Sequence, residues 1–321
     1  MAGNFGSPNP IQPLSVGNVV SAGVRLYRSR LKPYFLLALV ASLWSFLPIL
    51  FFIPAAIVTV WNIRFNANSP LVWLILVVIG IIITLYALGK YLVNSAIISR
   101  LAFGELVDQL ETVQAARAQV KSRLWTFVLT SLLLFVIFFI IFFILFLFWS
   151  IFSAFILASQ GVETVNPVGL IISILMLLLL STVVLWFMAK FFIADVLIAI
   201  EDNLDPVTTV SRSWELSQNN AWRILLIIFV AGLITIPIQL IIQLLVQNTS
   251  QAIYARTMPD VINGSISAIS TVVIVYLMTL IIALLVSAVF IPFWQSIKAV
   301  IYYDLRSRRE GLGLKLRDNE I

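Results

Sequence analysis

The sequence contains no cysteine and no histidine, and only 11% of its 321 residues are charged. Without cysteine there are no disulfides, thiolate nucleophiles or sulfur-ligated zinc sites. Without histidine there is no imidazole acid–base catalysis. The scarcity of charge, set against 61% hydrophobic residues and a mean hydropathy of +1.08, excludes a soluble domain, which carries about a quarter charged residues. No phosphate-cradling glycine loop, no carboxylate cluster with metal-ligand spacing and no nucleophile–base pair occurs in the sequence. The expectation is therefore no cofactor, no metal and no enzymatic activity.

The apolar residues that are present are organised for lipid. A membrane span needs about 20 consecutive apolar residues, and segments 34–61, 70–93, 126–158, 170–194, 222–246 and 267–291 qualify. The opening "MAGNFGSPNPIQPLS" has no basic start or apolar core, so the first span is expected to act as its own insertion signal. Residues 1–14 and 311–321 read as tails around one membrane domain, 15–310. Connections 62–69, 159–169 and 247–266 carry only Arg64 and Arg256 as basic residues, whereas the other connections and both ends carry nearly all the rest. The net charge of +6 thus records topology and not a nucleic-acid partner, and it predicts both termini on the cytoplasmic side of a cell membrane.

Three connections are themselves patterned. In "SVGNVVSAGVRLYRSRLK", Val16, Val20, Gly23, Tyr27 and Leu31 form an apolar stripe opposite Asn18, Ser21, Arg25, Arg28 and Lys32, as in a helix lying on an anionic leaflet. "DP" at 205–206 is a helix start, followed by Val207, Val210, Trp214 and Ala221 at helical spacing. A weaker stripe joins Leu106, Leu110, Val113, Val120 and Leu124. "SRLKPYFLLAL" at 29, "SRLWTFVLTSL" at 122 and "NNAWRILLIIF" at 219 hold the same place in three successive units. The expected fold is an all-α integral membrane protein: six transmembrane helices in three hairpins, each preceded by an interfacial amphipathic helix, as a threefold parallel pseudo-repeat.

The stretch "AIEDNLDPVTTVSRSWELSQNNAWR" at 199–223 resembles the signature of the glycerophosphoryl diester phosphodiesterase membrane domain, a bacterial family. Glu201, Arg212, Ser213, Trp214, Leu216, Trp222 and Arg223 match it, while "SQNNAWR" lacks the glycine expected before the aromatic. The resemblance implies a bacterial inner-membrane protein. It does not imply phosphodiester hydrolysis, which in the enzymes that lend the name belongs to a soluble barrel using a metal and histidines.

Two groups of candidate residues follow. Arg25, Arg28, Glu201, Arg212, Trp214, Trp222 and Arg223 compose a possible docking face for anionic lipid headgroups or a partner protein; alternatively, Arg212 with Glu201 or Glu215 pins a surface helix to the bundle. Lys90, Lys190, Asp195, Gln239 and Gln243 are polar groups within or at the ends of spans, with Lys298 placed like the other lysines. They read either as ion-coupling or substrate groups or as snorkelling lysines and ordinary bundle amides. Pro48, Pro54, Pro237 and Pro292 fall inside spans and are candidate helix breaks. A non-catalytic protein with a lipid- or partner-binding cytoplasmic face is the first functional expectation; a small transporter or channel is the alternative.

Overall fold

The computed structural model describes residues 14–64, 70–160 and 167–310. Ten helices follow one another: α1 (Val16–Ser29), α2 (Leu31–Arg64), α3 (Pro70–Leu106), α4 (Val113–Lys121), α5 (Leu124–Gln160), α6 (Pro167–Phe191), α7 (Ala194–Ile200), α8 (Pro206–Ser217), α9 (Ala221–Ile262) and α10 (Ile266–Glu310). No strand occurs among the described residues. Six helices (α2, α3, α5, α6 with its continuation α7, α9 and α10) are long and apolar enough to cross a membrane. In hydrocarbon every peptide group must bond within its own segment, which leaves the helix as the solution for such runs. The protein is a multi-pass α-helical membrane protein.

The helices outrun the hydrophobic segments. At 42 residues, α9 is ~63 Å long at ~1.5 Å per residue, about twice the ~30 Å hydrocarbon core. The polar segment expected as a connection from 247 is helical up to Ile262, and only 263–265 turn. Gly264 sits at φ +81° there, with its N–H on Val261 O at 3.0 Å and that of Ser265 on Asp260 O at 2.9 Å, a glycine C-cap. Pro237, Pro259 and Pro292 lie inside continuous helices, and Pro48 and Pro54 lie within α2. The break in the spans comes instead at Phe192–Ile193, between α6 and α7, with neither proline nor glycine.

The buried core sits at one end, where α3, α7 and α10 meet. Ile97, Ile98, Leu197, Ile198, Ile297 and Ile301 fill it. Elsewhere the bundle faces outward: Phe135, Phe139, Phe143 and Phe146 of the phenylalanine run are all exposed. Short helices pack around the core end, α1 on α9 and α10, α4 on α3, and α8 on α5 and α6. Each therefore lies against long helices that precede it in the chain, with α1 closing the circle. The α1–α10 approach is tight, since a Cβ on Gly23 would come within 2.6 Å of the Ile297 side chain and 3.2 Å of its Cα.

The expected stripes hold along most of α1 and α4, where Val16, Val20, Gly23, Tyr27, Leu106, Val113, Val120 and Leu124 are buried or packed on the core, and fail on α8. α1 buries Val19, Val20, Ala22, Gly23 and Leu26, while Leu31 begins α2 and is exposed. α4 buries Ala116 and Val120, and Leu110 precedes it, exposed. α8 buries Thr209, Ser213, Leu216 and Ser217 and turns Val207 outward. Small hydroxyl residues permit close approach and bond to backbone, so here they form the inner face.

Candidate functional site

The break after α6 explains why α8 presents serines. A continuous helix would occupy the carbonyl of Lys190 with the N–H of residue 194. Here Ser213 Oγ (2.8 Å) and Ser217 Oγ (3.1 Å) donate to that carbonyl instead. The far end of α7 is held by arginines: Arg123 donates to Ile198 O (2.8 Å) and Glu201 O (2.6 Å), and Arg100 to Ala199 O (2.8 Å). Arg100 is also bidentate on Glu111 at 2.7 and 2.8 Å, and Arg123 pairs with Asp202. At the start of α8, the backbone N–H and hydroxyl of Thr208 bond to Asp205 and lower the pKa of its carboxyl.

Arg212 of α8 pairs with Glu310, with Glu201 at 3.4 Å and with Glu215 at 3.6 Å. Burial opposes its charge, but Glu310 and Glu201 outweigh it and raise the guanidinium pKa. Glu310 also accepts from Arg306 (2.9 Å), Arg306 donates to the Tyr302 hydroxyl (3.1 Å), and that hydroxyl donates to Glu201 (2.8 Å). A second cluster centres on Asp304, only 3% exposed. It accepts from Arg223 (2.5 Å), Arg308 (3.0 Å) and the backbone N–H of Leu14 (3.1 Å).

The seven residues of the expected docking face are thus divided. Arg212, Glu201 and Arg223 are occupied by internal pairs that tie α8, α9 and the start of α1 to α10. Trp214 lies in ring contact with Trp186, Phe187 and Phe191. Arg25 and Arg28 are exposed on α1 with no partner among the described residues, and Trp222 is 63% exposed.

The lysines share a pattern that sequence reading missed, although it was legible: an aromatic residue stands four positions before each, in Tyr86/Lys90, Trp186/Lys190 and Trp294/Lys298. Lys90 lies over Trp44 (5.7 Å) and Tyr86 (5.2 Å), Lys190 over Trp186 (5.1 Å) and Trp214 (4.7 Å), and Lys298 over Phe192 (5.1 Å). At 3% exposure, Lys190 does not snorkel; it is caged. Lys298 bonds Asp195 at 2.8 Å, and Gln295 donates to the same carboxylate oxygen at 2.9 Å.

Lys298 lies at one end of an open cavity of about 1000 Å³ between α2, α9 and α10. Gln239 and Gln243 line it, joined by Gln247 and Gln251 one and two turns further along α9. The last two were hidden in a stretch read as a connection. Across the Lys298–Asp195 pair is a smaller, more apolar cavity of about 280 Å³ against α5 and α6, where Thr130 and Phe138 line the wall. Among the described residues no group of His, Cys, Asp or Glu converges as a metal site. No family model, curated protein or solved structure matches the chain.

Proposed function

We propose that this protein is a non-catalytic membrane receptor or carrier that takes a polar ligand into the cavity between α2, α9 and α10. One observation carries the reading: polar side chains from separate helices converge there, which a transporter or channel requires and an ordinary packed bundle does not. Gln239, Gln243, Gln247 and Gln251 have no hydrogen-bond partner among the described residues, and an ion pair lies at the cavity's end. The cavity's volume of about 1000 Å³ stands at the top of the ~300–1,000 Å³ range of small-molecule sites. With the charged end cytoplasmic, as the positive-inside rule directs, the glutamine end opens to the opposite side.

A second reading concerns the charged end. Arg25 and Arg28, on the exposed face of α1 and without a partner among the described residues, together with exposed Lys32, favour contact with anionic lipid, each contributing on the order of 1 kcal/mol. Arg212 and Arg223 add little to it, because their charges are compensated within the fold. The resemblance to the glycerophosphoryl diester phosphodiesterase membrane domain fits this division. Its matching residues Glu201, Arg212, Trp214 and Arg223 then serve the architecture of the α6–α8 junction and not a substrate.

Native mass spectrometry of the protein released from its own membranes tests the cavity reading. Wild type is expected to retain a small molecule or lipid that the double variant Gln239→Leu/Gln243→Leu loses. Identical bound species in both would overturn it.

A further inference from the structure

Resting on that reading, we infer that the cavity's ligand is a neutral polyhydroxylated group, a sugar or polyol, recognised by the glutamine ladder of α9. The charge of the site comes first. Among the described residues lining the larger cavity Lys298 alone is charged, and its ammonium is neutralised by Asp195 at 2.8 Å. An ionised ligand would leave water for a site with no free counter-charge, which is unfavourable for an unpaired ion in an apolar setting. A neutral ligand meets no such cost.

The second consideration is hydrogen bonding. Each glutamine amide offers two donors and a carbonyl acceptor, a set that matches adjacent hydroxyls, which both donate and accept. Gln239, Gln243, Gln247 and Gln251 repeat every four residues, ~6 Å per step along a helix, so the ladder can follow a run of hydroxyl-bearing carbons or linked rings. Its deep end is also unsatisfied. Gln295 is 6% exposed, lines the cavity, and gives its amide N–H to Asp195, while its Oε1 is buried without a partner.

The third is shape. Tyr91, Tyr254 and Trp294 place aromatic rings around the cavity, flat apolar surfaces on which the C–H face of a sugar ring can rest while its rim hydroxyls reach the amides. Ile242, Val246, Val286 and Phe290 complete the apolar wall. Asp304 lies at the charged end, and Lys298 is six residues, ~9 Å, along α10 from it. Gln251 stands 28 residues, ~42 Å, along α9 from Arg223, the partner of Asp304. The site therefore runs lengthwise along α9, with Gln243, Gln247 and Gln251 on its open side, and the hydroxyl-rich group can arrive as a free sugar or as the headgroup of a lipid.

Thermal unfolding of the full chain in nanodiscs tests this with four probes: glucose, a monoglucosyl diacylglycerol, phosphatidylglycerol and choline. The expected result is a rise in unfolding midpoint of at least about 3 °C with one of the two neutral sugar probes. The rise should be absent in Gln239→Leu/Gln243→Leu and in Gln295→Leu. Glucose alone acting identifies a soluble ligand, and the glycolipid alone acting identifies a headgroup; either supports the proposal. Leucine suits a lipid-embedded helix, and an unchanged midpoint of Gln239→Leu/Gln243→Leu without probe verifies that this variant folds; Gln295→Leu, which loses its bond to Asp195, is expected to unfold cooperatively at a lower midpoint. Stabilisation confined to phosphatidylglycerol or choline, and lost in the same variants, overturns the neutral-hydroxyl class but leaves the ligand cavity standing. No glutamine-dependent stabilisation by any probe overturns the class, and the native mass spectrum then decides the fate of the cavity itself.

Discussion

Asp304 binds two arginines and the N–H of Leu14 from a position with almost no access to solvent. Removing one member of such a cluster leaves uncompensated charge, and the loss is about 3 kcal/mol or more. Asp304→Ala is therefore expected to lower the unfolding midpoint markedly, while Asp304→Asn, whose amide oxygen can still accept from Arg223 and Arg308 but no longer from Leu14, lowers it less. Arg28→Ala, on the exposed face of α1, stays within about 0.5 kcal/mol of wild type. Thermal unfolding in detergent ranks the three; an Asp304→Ala midpoint equal to that of Arg28→Ala would contradict the cluster's role. Sequence alone showed these charges but not their pairing. Arg223 and Asp304 are 81 positions apart, and Asp195 finds Lys298 at 103 positions, not the nearby Lys190. Pairing at that distance depends on which helices meet, and no local pattern encodes it.

Elements were legible where hydrophobicity or capping drives them and misleading where tertiary bonds do. The six spans and the Asp205–Pro206 helix start follow from local chemistry. The interruption at Phe192–Ile193 does not, because nothing in "KFFIAD" breaks a helix; its stability comes from α8, which supplies two hydroxyls to one freed carbonyl. Those serines also displaced the expected apolar stripe of Val207, Val210 and Trp214. Either hydroxyl can satisfy Lys190 O, so Ser213→Ala and Ser217→Ala are each expected to cost under about 1 kcal/mol, the worth of one bond. The double variant orphans a buried acceptor at about 2–3 kcal/mol, more than the sum of the singles. Additive single and double effects in unfolding experiments would show that the shared carbonyl does not matter.

At the scale of the whole molecule, packing and charge are concentrated at one end, and the described residues toward the other end are largely exposed and carry the glutamines. Tyr34, Phe127 and Ile224, at the same place in the three units, are all buried to 2% exposure or less, and the circular packing of α1, α4 and α8 on preceding helices favours the parallel pseudo-repeat that the sequence suggested. Such a repeat brings all three amphipathic helices to a single face of the membrane. The exposed indoles of Trp125 and Trp222, at matching positions beginning α5 and α9, suit the headgroup level of that face. With that face cytoplasmic, as proposed from the placement of the basic residues, the glutamine cavity opens away from it. The absence of native cysteine makes the test direct. In right-side-out vesicles, a cysteine replacing Asn263 at the α9–α10 turn should react with an impermeant maleimide added outside. A cysteine replacing Gln114 on α4 should react only after permeabilisation. The reverse pattern would turn the bundle over and make the polar cavity a cytoplasmic one.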